Sequence, residues 1–405
     1  ASAAVVVAVP CNATALASAI SAAASGETLN LTAHCHYQLK AGLPMVGQDL
    51  TIAGRWATLS RSHAAGTPAF TILSVDAGTL AVSNLNFSNG NGAISATENG
   101  SLTVQGGTFT GNSAVNGGAI SANTGPGNLT VTDATFTGNT ATDAGGAIYT
   151  SEFAGNTTVT GSTFTRNKAG EIGGAIYNFF SVEASDSRFN ANQATDGGAI
   201  FNASIGGDYL TGVTLHGNSA TQDGGGVYST ECNLNLANSR VSGNHAGNDG
   251  GGIYQNFLQA YPYGLTLTGT SVQGNSAENG GGIYSNASVV DLTGSTLDGN
   301  DATVDGGAIY NTGYVPRNPP TYGDVNLGTS TISGNKSGGD GGGIYNTEGD
   351  VTATGSSVAH NTAVTGGGGI YEGPGPDTAT LTSTSVLYNK PDNCSPPGSV
   401  TGCTG

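Results

Sequence analysis

The chain has 405 residues, 68 of them Gly, with ten Lys plus Arg against 27 Asp plus Glu and a net charge of −17. That balance leaves no basic stripe for nucleic acid and repels a polyanionic substrate on the scale of the whole molecule. A neutral glycan, a protein or a divalent cation fits it better. Gly-, Ser- and Thr-rich tracts are often disordered, but Ile, Val, Leu, Tyr and Phe recur here at regular intervals, the mark of ordered β structure with many turns. No run of about 18 apolar residues occurs, so no helical membrane span is expected.

The chain opens Ala-Ser-Ala-Ala and reads as already processed. The apolar run Ala3 to Val9 lacks a basic flank and is too short for a signal segment, so it reads as a first strand. From Thr14 to Ala24 the spacing is helical, with Leu16, Ile20 and Ala24 on one face and Gly26 as the stop. A short helix covering the open end of a solenoid is the natural use of that segment. Cys11 and Cys35 bracket this region, and Cys394 and Cys403 bracket the last ten residues. Two local disulfides follow, in an oxidising compartment, with Cys232 as a buried free thiol.

Beyond residue 80 a repeat takes over. A tract Gly-Gly-(Ala/Gly)-(Ile/Val)-(Tyr/Phe) places aromatics at Tyr149, Tyr177, Phe201, Tyr228, Tyr254, Tyr284, Tyr310, Tyr345 and Tyr371. The successive spacings are 28, 24, 27, 26, 30, 26, 35 and 26. Gly117-Gly118-Ala119-Ile120-Ser121 is an earlier copy with Ser in the aromatic slot. In a second tract an apolar residue is followed three positions later by Asn, as in Phe109 with Asn112, Phe136 with Asn139 and Val272 with Asn275. A third tract alternates, as in Leu129 to Thr132, the period-2 signature of a strand with one buried face. Each unit therefore holds three short strands and three turns, too compact for a crossover helix, and closes as one coil of a solenoid. The expected fold is all-β: a single-stranded, right-handed parallel β-helix of about a dozen coils. Its expected parts are a cap with the first coils over 1–80, repeats over 81–390 and a C-terminal cap over 391–405. The recurring Asn should stack coil on coil and hydrogen-bond along the axis.

The tracts Phe109-Thr-Gly-Asn112 with Gly117-Gly-Ala-Ile120, and Phe136-Thr-Gly-Asn139 with Gly145-Gly-Ala-Ile148, resemble the repeats of the polymorphic outer membrane proteins, a family of surface adhesins. The wider architecture looks like the pectate-lyase-like superfamily. The resemblance covers about 90–390 and implies a secreted or cell-surface protein that binds polysaccharide or a cell-surface or matrix protein. Members of the adhesin family carry a C-terminal transmembrane barrel. This sequence instead ends in the Cys394–Cys403 segment, so a free secreted protein or one held by partners is expected.

Three features stand out from the repeat. Acids precede the Gly pairs at Asp143, Glu171, Asp196, Asp223, Asp249, Glu278, Asp305 and Asp340. Asp-Gly makes a good turn whose carboxylate is solvated or bonded to backbone N–H. The alternatives are Ca²⁺ held between rungs at Asp196, Asp223 and Asp249, or catalysis by these carboxylates in a polysaccharide hydrolase. A lyase would also need a base, and Arg166, Lys168 and Arg188 are the basic residues near Asp143, Glu171 and Asp196. Second, the Tyr series either stacks across coils or forms an apolar contact stripe. Third, the turn after the Tyr strand expands at 257–264 and 312–323, both rich in Tyr and Pro. Loops on a rigid scaffold concentrate binding residues, which makes Tyr261, Tyr263, Tyr314, Arg317 and Tyr322 the candidate recognition site. An adhesin-like binding protein and a carbohydrate-active enzyme, hydrolase or lyase, are the two functional readings.

Overall fold

The structure, a computed structural model, describes residues 5–97, 100–123, 127–152, 155–203, 206–256, 264–312, 314–315, 321–347, 349–374 and 378–403. The chain forms two compact units, Ala1–Gln193 and Ala194–Gly405. Both are built from parallel β coils, about 14 turns among the described residues. The sequence repeat suggests fewer because the coiling begins ahead of it: Glu27–Leu31, Leu50–Arg61 and Thr79–Ser88 already pair in parallel. Their alternating buried and half-exposed positions fit a coil without its Gly-Gly and Asn signatures.

In the first unit, strand Val6–Val9 pairs with Glu27–Leu31, and helix α1 spans Ala13–Ala22 between them. Asn12 caps α1: its side-chain oxygen accepts from the N–H groups of Thr14 (2.8 Å) and Ala15 (3.0 Å). Leu16 and Ile20 bury the inner face of the helix, which packs on Val6–Val9 and His36–Leu39. The helix ends two residues before Ala24, because Ala23 has turned to extended geometry. The Cys11–Cys35 disulfide, with a Cα–Cα distance of 5.7 Å, ties the segment ahead of α1 to the turn before His36.

Each regular coil carries four strands rather than three. In the coil that starts at Leu129 these are Leu129–Thr132, Thr135–Thr137, Thr140–Ala141 and Ile148–Thr150. The two-residue strand is too short to show alternation, so the sequence pattern hides it. Register is strict despite the uneven repeat length. Phe109, Phe136 and Phe164 lie over one another, as do Val104, Val131 and Val159. The extra residues are absorbed at the corners, since a slip of one residue would turn every buried side chain outward.

The interior of the first unit is a column of stacked Phe rings: Phe87, Phe109, Phe136, Phe164 and Phe189, all fully buried. Centroid separations are 5.0, 4.6, 4.7 and 4.8 Å. In the second unit Leu215, Val241, Val272, Leu297, Ile332 and Val358 occupy the same slot. Beside it runs the Asn ladder. Asn139 Nδ2 donates to Asn167 Oδ1 (3.0 Å) and to Phe109 O (2.9 Å), while Asn167 Oδ1 also takes the Asn139 N–H (3.0 Å). The second unit repeats the pattern through Asn244, Asn275, Asn300, Asn335, Asn361 and Asn389. At the Gly-Gly corner, Gly145 adopts φ +65°, and a Cβ on Gly146 would run into the backbone of Gly174 and Lys168 on the next coil.

The second unit closes its chain with Cys394–Ser395 on the Tyr-strand ladder and Val400–Thr401 beside Ala379–Thr382. The Cys394–Cys403 disulfide joins these segments at a Cα–Cα distance of 6.4 Å.

Removing a ring from the middle of the Phe column tests this packing. Phe136→Ala is expected to destabilise the protein by about 3–5 kcal/mol, read as a fall in the urea midpoint.

Candidate functional site

Alternation along Ile-Tyr-x puts Ile inside, the aromatic at the surface and the third residue inside again. The surface rings stack along the axis. In the second unit Phe201–Tyr228, Tyr228–Tyr254, Tyr254–Tyr284, Tyr284–Tyr310, Tyr310–Tyr345 and Tyr345–Tyr371 have centroids 4.5 to 5.1 Å apart, and no pair is tilted by more than 22°. In the first unit Tyr149 and Tyr177 stack at 5.1 Å. Ring faces are therefore occupied by neighbouring rings. Burial pushes the Tyr177 hydroxyl up to about 12, with smaller contributions from Tyr149, Asp143 and Glu152. Burial likewise raises Tyr254 and Tyr284, and Asp223 and Asp249 add to it in both. These phenols stay protonated at neutral pH.

The acidic series runs beside them and forms its own ladder. Asp223 N–H donates to Asp196 Oδ1 (3.0 Å), Asp249 N–H to Asp223 Oδ1 (3.1 Å), and Asn279 Nδ2 to Asp249 Oδ1 (2.9 Å). Asp305 N–H continues to Asn279 Oδ1 (3.4 Å), and Asp340 N–H to Asp305 Oδ1 (2.6 Å). In the first unit Ala144 N–H donates to Asn116 Oδ1 (3.1 Å). Each of these carboxylates is thus a turn acceptor for the backbone of the next coil. Burial raises the carboxyl groups of Asp196 and Asp249, and lifts Asp223 to about 6 against the pull of the Asp249 N–H. Among the described residues no group of three or more His, Cys, Asp or Glu is arranged to hold a metal ion. The basic residues stand elsewhere in the coil: Arg188 pairs with Thr163 on the Phe strand, Arg166 follows that strand at φ +53°, and Lys168 pairs with Thr140 on the two-residue ladder.

The two long turns leave the same ladder. One follows Ile253–Asn256 and the other Ile309–Thr312, with Ile283–Asn286 paired between them. The second carries an antiparallel hairpin in which Tyr314 pairs with Tyr322 and Val315 with Thr321. Tyr261, Tyr263 and Arg317 lie outside the described residues.

A buried polar ladder escaped the sequence reading. It holds the third residue of Ile-Tyr-x: Thr150 and Asn178 in the first unit, then Asn202, Ser229, Gln255, Ser285, Asn311, Asn346 and Glu372 in the second. Asn311 Nδ2 donates to Asn346 Oδ1 and Asn346 Nδ2 to Glu372 Oε1, both at 2.7 Å. The signal was present, because strict alternation makes this slot internal and the residue in it is polar in every copy that carries an aromatic ring. Cys232 belongs to this interior. Its Sγ lies 3.0 Å from Ser229 Oγ and 3.2 Å from Asn202 Nδ2, and Asn202 also donates to the buried Asp208 (2.6 Å). Burial, with Asp208 beside it, pushes the Cys232 thiol up to about 12, so it is a packed thiol rather than a nucleophile.

Because the folded-state pKa of Asp223 is raised, its contribution to stability is fully present below pH ~4 and is lost as pH rises through about 6. Asn279 already fills an equivalent ladder position, so Asn can replace Asp at 223 without breaking the chain of bonds. Asp223→Asn is expected to raise stability at pH 7 by about 1 kcal/mol, discounted for solvent screening, and to leave it unchanged at pH 4, as read by thermal unfolding at both values. Millimolar Ca²⁺ followed by chelator is expected to leave the melting midpoint of the unmutated protein where it was, because one oxygen of each of these carboxylates is already engaged by the next coil.

Residues 133–151, 161–178 and 329–347 match the Chlamydia polymorphic membrane protein repeat. No curated protein matches the chain. Among solved structures, the A-module of a mannuronan C-5 epimerase from Azotobacter vinelandii is 13% identical, with 95% of each chain covered and a TM-score of 0.36. The chain carries repeats of the polymorphic membrane protein type on a parallel β-solenoid.

Proposed function

We propose that this is an adhesin-like extracellular or cell-surface protein. In this reading a right-handed β-solenoid, with α1 covering its first coils, holds out the Tyr- and Pro-rich corner loops to bind polysaccharide or a cell-surface or matrix protein. The observation that carries the reading is the placement of the two insertions. They leave one corner of one ladder two coils apart, on a scaffold fixed by the Asn and acid ladders. The matched repeats support a surface location, and Tyr261, Tyr263, Tyr314, Arg317 and Tyr322 are the recognition residues. Among the described residues no helix is long and apolar enough to cross a membrane. The combined variant Tyr314→Ala/Arg317→Ala/Tyr322→Ala should lose at least tenfold in binding to glycan arrays and matrix proteins while its circular dichroism stays unchanged. Unaltered binding would remove the loops from the site.

A second reading has one observation in its favour. Burial lifts Asp223 to about 6, between Asp196 and Asp249, whose carboxyl groups are also raised, and a carboxyl raised toward neutrality suits a general acid. A polysaccharide panel read for new reducing ends and for unsaturated uronate tests it. Turnover abolished by Asp223→Asn would replace the binding reading with a hydrolase or lyase.

A further inference from the structure

The aromatic ladder of the first unit stops short, and a cavity lies where it would continue. Tyr149 stacks on Tyr177 on one side. On the other side the register sets Ser121 against Tyr149, then Ser95 against Ser121 and Ser74 against Ser95. Three coils thus carry a hydroxymethyl group where later coils carry a ring. The space left is a cavity of about 240 Å³ whose lining includes Thr71, Asn91, Ser95, Asn116, Ser121 and Asn123, with no charged residue. We propose that this cavity is a binding site for one neutral sugar ring, hydrogen-bonded by the surrounding hydroxyl and amide groups.

The chemistry of the lining selects the ligand class. Uncharged amides and hydroxyls give both donors and acceptors but no counter-charge, so they suit a polyol and leave an ionic ligand unpaired. A wholly apolar ligand would bury those groups without partners, a loss of about 1–3 kcal/mol for each. The volume lies below the ~300–1,000 Å³ usual for drug-sized ligands and suits a single ring. The walls are already fixed. Thr71 Oγ1 donates to Asn91 O (3.0 Å), Ser151 Oγ to Asn123 O (2.5 Å), and Asn116 Oδ1 accepts from Ala144 N–H (3.1 Å), which leaves the Asn116 NH₂ for a ligand. Among the described residues the Ser95 and Ser121 hydroxyls and the Asn91 and Asn123 side-chain amides have no hydrogen-bond partner of their own. This site is independent of the corner loops.

The test uses the full chain and methyl glycosides of glucose, galactose, mannose and N-acetylglucosamine as probes, titrated by NMR. At least one glycoside should shift the resonances of Ser95, Ser121 and Asn123 with a saturable millimolar dissociation constant. Ser121→Tyr extends the ladder by one ring, which fills the cavity. It should weaken binding at least tenfold while the melting temperature holds or rises. Asn123→Ala should weaken binding severalfold and serves as the second variant if Ser121→Tyr fails to fold. The triple loop variant should bind the glycosides as the unmutated protein does. Absence of shifts with all four probes, or equal binding by Ser121→Tyr, would overturn the site. Loss in the loop variant with retention in Ser121→Tyr would move the sugar to the loops, and so separates failure of this proposal from failure of the adhesin-like reading.

Discussion

Coil-to-coil hydrogen bonding by buried asparagine is the interaction on which the rest of the structure depends. A parallel solenoid must turn its backbone several times per coil, and every turn leaves N–H and C=O groups that need partners. One Asn side chain satisfies two such backbone groups and joins its neighbours' amides as well. In the first unit Asn139 Oδ1 takes the N–H and Nδ2 of Asn112, while Asn139 Nδ2 reaches Phe109 O and the next Asn. The buried amide groups are thus paired with one another and with the turn, and the same bonds fix the register that stacks Phe on Phe and Ile on Ile. Left unpaired, each such group would cost about 1–3 kcal/mol.

The other ladders follow from that registry. With the coils locked, any residue type that recurs at one slot meets its own copies about 4.8 Å away. Aromatics at the surface slot stack, Asp at the corner accepts the N–H of the next Asp, and amides at the third position of Ile-Tyr-x chain together inside. Recurrent chemistry is therefore mostly structural in this protein. Carboxylates in a row are turn acceptors, rings in a row cover one another, and sites of recognition should be sought where the recurrence breaks. It breaks at the two insertions of the second unit and at Ser95 and Ser121 of the first.

Much of this was legible in the sequence, because a solenoid writes its period into the chain. The pairing of Phe109 with Asn112 and of Gly117 with Ile120 identified strands, corners and the Asn ladder without reference to long-range contacts. Cys11 with Cys35 and Cys394 with Cys403 were legible from proximity in sequence. Lys168–Ala169 was not, since two residues carry no alternation. First coils were expected within 1–80, but their strands, such as Leu50–Arg61, were not legible, since they coil without the signatures. The inner ladder of Thr150 and Asn178 hid behind the habit of treating Thr and Asn as surface residues, although alternation placed them inside. Ser121 was legible as a departure from the aromatic slot. Its consequence, a cavity on the serine coils, needed the register.

Native-state hydrogen exchange of the ladder amides tests the central claim most directly. The backbone N–H groups of Asn139, Asn167, Asn244 and Asn275, each donating to a buried side-chain oxygen on the next coil, should exchange only through global unfolding of their unit, with the denaturant dependence that implies. Exchange as fast as that of exposed corner amides, independent of denaturant, would contradict a solenoid held by its asparagines.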